Sequence, residues 1–209
     1  MPQFAEFGPA AAWLKRHPQV RCVDLLLADL MGIPRGKRVT AAELEGVHGS
    51  GLLLPGSMFA LDVLGGTVQS TGLGFDEGDA DRVCLPIAGT LVPVPWLGAD
   101  IAQMQVSMYE HDRTPFHGDP RHVLESVVAR FTALGLQPVM AVELEFYLVD
   151  RERTPAGHAQ PPRQPLTGRR EVKTQINSMQ ELNEYSAVLS AIAAAAREQD
   201  PPDGTVIAE

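Results

Sequence analysis

An α+β fold is what this sequence predicts, and three features predict it. Residues 20–28 form a run of aliphatic and β-branched side chains, followed by a turn and a second extended piece, the pattern of a β hairpin. Between residues 46 and 112 short apolar pieces, broken by Gly and Pro, continue that mostly β character. From residue 119 onward the period changes, and an amphipathic helical face leads into a strand-like run at 139–149 and then a further helix.

The first module begins with a helix over about residues 9–17, with Pro9 suited to a first turn where a missing N–H loses no hydrogen bond. The strand at 20–28 is followed by Asp29-Leu30-Met31-Gly32 as a turn, and residues 33–39 pair back on it. Residues 46–89 are Gly-rich and read as small strands and functional loops rather than helices. Leu91-Val-Pro-Val-Pro-Trp96 is extended, because its two prolines exclude both a helix interior and a central strand. Residues 103–109 read as the last strand. The expected division is an amino-terminal helix at 1–17 and a small, mostly β domain at 18–112.

The second module runs from 113 to 209. Asp119-Pro120 is a helix start, with Asp as N-cap and Pro in the first turn. Val123, Leu124, Val127, Val128, Phe131 and Leu134 share one face at helical spacing, and Gly135 stops the helix. Pro138 leads into a strand at 139–149. Residues 151–170 are polar, Pro-rich and locally basic without periodicity, the composition of a long mobile loop. Ser178 with Glu181 is a capping-box signature before a helix running to about Arg197, whose buried face is expected to be Leu182, Tyr185, Leu189 and Ile192. Pro201, Pro202 and Gly204 end that helix, and residues 205–209 start a strand that stops in an apolar run, as an interrupted domain does.

Composition narrows the function classes. Acidic residues outnumber basic ones 26 to 17, a formal charge of −9. That balance argues against a surface that coats nucleic acid, which needs clustered cations, and it suits the binding of hard metal ions by carboxylates. Cys22 and Cys84 lie far apart with no C-x-x-C pair, so a disulfide framework or a structural zinc site is not expected, and a reducing cytoplasm is. No signal peptide opens the chain, and its most apolar stretch, residues 189–196, is too short to span a bilayer; the expectation is a soluble protein.

Side chains alternate along a strand, so Glu143, Glu145 and Tyr147 share one face of 139–149, while Val142, Leu144, Phe146 and Leu148 share the other. Two carboxylates two residues apart on one face stand about 7 Å apart and repel each other. Either divalent ions in front of that face resolve the conflict, or the strand is an edge strand whose polar face is solvated. Glu209 joins them if its strand is their neighbour in one sheet, and is otherwise simply solvated. The loop from Gly72 to Asp81 holds four acids without the spacing of an EF-hand, and no Walker-type or G-x-G-x-x-G loop is present. Residues 32–38 gather Arg35, Lys37 and Arg38, either to hold an anion or as an exposed basic hairpin. Six scattered histidines form no H-E-x-x-H, and neither Ser50 nor Ser57 sits in a G-x-S-x-G elbow, so zinc hydrolysis and nucleophilic catalysis have no support.

Several segments, taken together and in order, resemble the glutamine synthetase family. They are Val20-Arg-Cys-Val-Asp-Leu-Leu-Leu-Ala-Asp29 with Gly32 and Arg35-Gly-Lys37, then Leu54-Pro-Gly-Ser57 and Phe59-Ala-Leu-Asp62. Gly78-Asp79 with Asp81, Val94-Pro-Trp96, Asp119-Pro-Arg121 and Val142-Glu-Leu-Glu-Phe146 complete the set. The resemblance covers nearly the whole chain. It implies an amino-terminal β-grasp domain followed by the truncated start of an α/β catalytic domain, since the family's chains are roughly twice this length. The Arg-Gly-Lys and Ala-Leu-Asp forms lean toward the branch that joins glutamate to amines or polyamines.

The same resemblance implies a cytoplasmic ATP-dependent ligase working with Mg2+ or Mn2+. ATP phosphorylates the side-chain carboxylate of glutamate, and ammonia or an amine displaces the phosphate. Glu143 is implied as a ligand of the ion nearer ATP, with Glu145 and Glu209 at the ion nearer glutamate. Asp62 and Asp81 are implied as acids at the amine pocket, contributed to a neighbouring subunit within a homo-oligomer of stacked rings. An incomplete chain is expected to be inactive alone; the other reading is a non-catalytic binding or assembly module.

Overall fold

Alternation along residues 22–28 sets the centre of the architecture. In strand β1 (Cys22–Ala28) Val23, Leu25 and Leu27 are buried, while Cys22, Asp24 and Leu26 on the other face are half-buried. The chain turns and returns antiparallel as β2 (Pro34–Thr40), with Cys22 opposite Thr40 and Ala28 opposite Pro34. Gly36 is needed there: at φ +154° it lies so close to β1 that a Cβ would stand 1.7 Å from the Leu25 carbonyl oxygen.

The structure is a computed structural model that describes residues 4–74, 78–170 and 175–199. It divides into two units, residues 1–138 and 139–209. In the first, helix α1 (Phe7–Arg16) precedes the β1–β2 hairpin, and α2 (Leu44–Ser50) leads into β3 (Leu52–Pro55). Strands β4 (Asp81–Pro86), β5 (Val92–Pro93) and β6 (Ile101–Tyr109) follow, then helix α3 (Pro120–Ala133). The sheet order is β2-β1-β6-β4-β3, with β5 pairing on β6. Among the described strands only the central β1–β6 pair is parallel; the other pairs are antiparallel. One face of this sheet, through Val23, Leu25, Leu27, Ala102, Met104, Val106 and Met108, packs with Ala10, Leu44, Val47, Phe59 and Phe116 as a single core.

The α+β character expected from the sequence is present, with one helix more than expected. Residues 44–50 are helical, although Gly46 and Gly49 lower helix propensity. The signal was legible: Thr40 and Glu43 form a capping box, and the helix that follows seats Leu44 and Val47 in the core. Asp119 caps α3 as expected, its Oδ1 accepting the Arg121 N–H at 2.9 Å and its Oδ2 accepting the Met108 N–H at 2.8 Å. The apolar face of α3 is uncovered, however, with Val123, Leu124, Val127, Val128 and Phe131 all exposed.

The second unit departs from expectation more sharply. Residues 139–149 form no strand, and every one of them is exposed. Alternation is a necessary pattern, but a strand exists only when its N–H and C=O groups find a ladder, and no described residue supplies one. Residues 150–170 are laced by hydrogen bonds, among them Asp150 N to Gln160 O and Gln164 N to Arg169 O, and by a bridge between Arg163 and Arg170.

The expected single helix after Ser178 is divided into α4 (Met179–Glu184) and α5 (Ser186–Gln199). Its expected buried face is half-buried at Leu182, Tyr185 and Leu189 and exposed at Ile192. Glu181 and Glu184 are buried instead, because their carboxylates accept the backbone N–H groups of Gln175 and Leu166, each at 2.9 Å. A carboxylate turned inward is tolerated where backbone N–H groups donate to it, because those charge-assisted bonds offset part of its lost hydration. Residues 200–209, including the expected strand and Glu209, lie outside the described residues. No helix among the described residues is long and apolar enough to cross a membrane.

Candidate functional site

The acidic candidates fall in two places. Asp62 sits in a tight loop closed by a bridge between Leu61 and Thr67. Its Oδ1 accepts the N–H groups of Leu64 at 2.9 Å and Gly66 at 2.7 Å, so half of the carboxylate shapes its own turn. Oδ2 accepts no bond among the described residues.

Asp81 opens β4 and is exposed, directly opposite Pro55 in the β3–β4 pair. That register brings the Leu54-Pro-Gly-Ser57 segment beside the Asp79–Asp81 segment. Ser57 is buried and its N–H donates to Asp79 Oδ1 at 3.3 Å, while Asp79 itself holds φ +44°, a left-handed conformation uncommon outside glycine.

This corner has a cationic member that sequence reasoning missed. Arg82 lies 4.1 Å over the Phe116 ring, and its Nε donates to Glu110 Oε1 at 3.2 Å. A further donor of Arg82 meets the Ala80 carbonyl at 3.3 Å, and a ring nitrogen of His111 meets the Asp81 carbonyl at 3.0 Å. Gly56 leaves room for the guanidinium, since a Cβ there would stand 2.2 Å from it. Three stretches far apart in sequence, 56–57, 79–82 and 110–116, are thus tied into one polar corner. No local pattern around Arg82 announces this, because its partners lie 28 and 34 residues downstream.

Glu143 and Glu145 sit in the exposed stretch 139–149, where neither accepts a hydrogen bond from a described residue. Among the described residues no three His, Cys, Asp or Glu side chains gather as a metal-ligand group. Glu209, the third expected ligand, lies outside the described residues. Two carboxylates two residues apart are oxygen donors of the kind that Mg2+ or Mn2+ takes, so the donor chemistry fits a hard divalent cation.

Comparison with known proteins extends this geometry. A family model described as the glutamine synthetase catalytic domain matches residues 117–209. The gamma-glutamylputrescine synthetase PuuA of Escherichia coli (strain K12) is 42% identical over 195 residues, 93% of this chain and 41% of that protein. A glutamine synthetase of Pyrococcus horikoshii is 30% identical over 131 residues, 62% of this chain and 26% of that one. The chain therefore spans well under half the length of these curated relatives. A solved structure of a novel glutamine synthase homolog superimposes with a TM-score of 0.65 at 20% identity, over 91% of this chain and 41% of that one. A GmaS/ADP complex gives 0.63 at 16% identity, over 91% and 39%. At such identities the structures speak for the fold, a mixed α and β architecture of glutamine synthetase type, while the sequence relatives carry the lineage. By these matches the chain resembles the glutamine synthetase family, a family of ligases, over part of that family's length, with residues 117–209 matching its catalytic domain.

Proposed function

We propose that the protein carrying this chain is an ATP- and divalent-metal-dependent ligase that joins the side-chain carboxylate of glutamate to an amine, with putrescine-like polyamines favoured over ammonia. The observation that carries the reading is the 42% identity to a gamma-glutamylputrescine synthetase across 93% of the chain. The γ-phosphoryl group of ATP passes to a carboxylate oxygen of glutamate and ADP leaves. The amine nitrogen then attacks the acyl carbon, phosphate departs with the C–O bond pair, and the amine proton is lost to a base.

Glu143, Glu145 and Glu209 are the residues that would hold Mg2+ or Mn2+, which neutralises phosphate charge as it shifts. Asp62 and Asp81 are proposed at the amine end, where a carboxylate both attracts an ammonium group and accepts its proton. The free Oδ2 of Asp62 and the exposure of Asp81 are compatible with that task. The first unit is read as a β-grasp domain. Its parallel β1–β6 centre, flanked by antiparallel strands with α2 against them, supports that reading. Assembly into stacked rings in the cytoplasm, with sites shared between subunits, belongs to the same proposal, as does inactivity of the 209-residue chain by itself.

Two measurements test it. Calorimetric titration of Mn2+ into this chain, beside Glu143→Gln and Glu145→Gln, should show binding that each substitution weakens at least tenfold; binding indifferent to both would remove these residues as ligands. ADP release by the protein that carries this chain in full should require glutamate and rise with putrescine above ammonia. Release that no amine stimulates would refute the ligase reading.

A further inference from the structure

Three successive residues, Asp79, Ala80 and Asp81, each hold a polar tie. Asp79 Oδ1 accepts the Ser57 N–H at 3.3 Å, and the Ala80 carbonyl accepts from Arg82 Nη1 at 3.3 Å. The Asp81 carbonyl accepts from His111 Nε2 at 3.0 Å. A carbonyl oxygen cannot donate, so that ring nitrogen carries the proton. Asp81 nevertheless remains exposed. The backbone on both sides of one open carboxylate is therefore fixed.

Arg82 has the most partners of this group. Its Nε donates to Glu110 Oε1 at 3.2 Å, and its Cζ lies 4.1 Å from the centroid of the Phe116 ring. One turn presents both partners: the Glu110 N–H bonds the Thr114 carbonyl at 2.8 Å, and the Phe116 N–H returns to the Met108 carbonyl at 3.1 Å. Phe116 is fully buried and lies 5.8 Å from Phe59, so the ring under the guanidinium is held in the core. The Arg82 and Glu110 side chains are 22% and 38% exposed, and an ion pair this open to water adds little stability. What the arrangement supplies is placement. A planar guanidinium stacks on a ring and donates in its own plane at once, which an ammonium cannot do. Gly56 closes the remaining side, since a Cβ there would stand 2.2 Å from Arg82 Nη1.

We infer that Arg82 is a positioning residue for Asp81: pinned by Phe116, Glu110 and Gly56, it holds the Ala80–Asp81 backbone so that the Asp81 carboxylate meets the amine in one fixed place. This rests on the reading of Asp81 as an acid of the amine end, and adds to it the group that sets its position. A misplacement of about 1 Å in a reacting group can cost about a hundredfold, and a loosened backbone is expected to cost about tenfold.

Steady-state kinetics of the protein that carries this chain in full test it, with Arg82→Gln, Arg82→Lys, Asp81→Asn and the double variant Asp81→Asn/Arg82→Gln. Arg82→Gln should raise the KM for putrescine about tenfold, and Arg82→Lys nearly as much, with the KM for glutamate and for ATP unchanged. In the Asp81→Asn background, where no carboxylate is left to place, Arg82→Gln should move the putrescine KM by less than about twofold. A smaller folded fraction lowers kcat and leaves every KM in place. That outcome, an additive double variant, or a lysine that keeps the parent's KM would each overturn the inference. Asp81→Asn with the parent's putrescine KM would remove Asp81 from the amine end and the inference with it. Gly56→Ala drives a methyl group against the guanidinium without changing charge, and should raise the putrescine KM even if Arg82→Gln does not fold; an unmoved KM there would also overturn the inference. Hydrogen exchange across 79–82 should be faster in Arg82→Gln than in the parent, and equal exchange would count as refutation. Arg21→Gln, at an exposed ion pair with Asp100 outside this corner, is the control and should change none of these readings.

Discussion

Asp29 shows how one residue can set local structure through charge. It is 4% exposed, its Oδ1 accepts the N–H groups of Met31 and Ile33, and its Oδ2 meets Arg35 Nε at 2.9 Å. Burial alone pushes its carboxyl up, but the Arg35 guanidinium and the two backbone N–H groups outweigh that and hold it below the usual carboxylate range. Stability from a carboxyl whose folded pKa is depressed is fully present above the unfolded value and is lost as pH falls through the folded one. Asp29→Asn keeps one acceptor and removes the charge, leaving Arg35 short of its partner; a second nitrogen of that guanidinium is already buried without one among the described residues. The expected cost is about 2 kcal/mol at pH 7, shrinking as pH drops below about 4. Urea unfolding of parent and variant at pH 7 and pH 3 reads this directly, and a gap that is equal at both values would mean that the charge is not what matters.

At the scale of elements, the contrast between β6 and residues 139–149 is instructive. Both have apolar side chains at every second position, and both read as strands. Ile101–Tyr109 lies between β1 and β4 with its backbone groups paired, and Ala102, Met104, Val106 and Met108 are buried. Residues 139–149 carry Val142, Leu144 and Phe146 in the same alternation, exposed by 84%, 82% and 61%. The difference lies in neighbours, not in propensity. Hydrogen exchange on this chain should therefore find the amides of β1 and β6 strongly protected and those of 139–149 unprotected. Slow exchange across 139–149 would show that this stretch has a ladder partner after all. The buried glutamates of α4 teach a related lesson: Leu182 and Ile192 fit an apolar stripe by spacing, yet the backbone donors of a nearby loop decided which side chains turned inward.

For the whole molecule the balance of burial differs between the two units. The first has a core running from Ala10 to Phe116 and a sheet whose central strands are covered. The second exposes Val139, Met140, Val142 and Leu144 by about four-fifths or more of each residue's surface. Contiguous apolar surface of this kind favours association. Heating should give two transitions, an early one that depends on protein concentration and a later one that does not. Scanning calorimetry at two concentrations checks this, and one cooperative, concentration-independent transition would contradict it.

Much was determined by the sequence alone, because short-range physics is written in short-range patterns. The hairpin at 22–40, the Asp119 cap, the Ser178 cap and the strand ending at Tyr109 follow from alternation, capping chemistry and turn residues within a few positions of one another. The ordered series of segments from Val20 to Phe146 was enough to indicate the family, and Asp62, Asp81, Glu143 and Glu145 as its candidate acids. Tertiary structure decided what depends on distant partners. It set Arg82 over Phe116 against Glu110, required Gly36 under the Leu25 carbonyl, buried Glu184 to serve Leu166, and gave 139–149 no ladder among the described residues. Each of these turns on a group well outside the local pattern, or on the lack of one among the described residues, and a single strand's pattern holds no record of its neighbour.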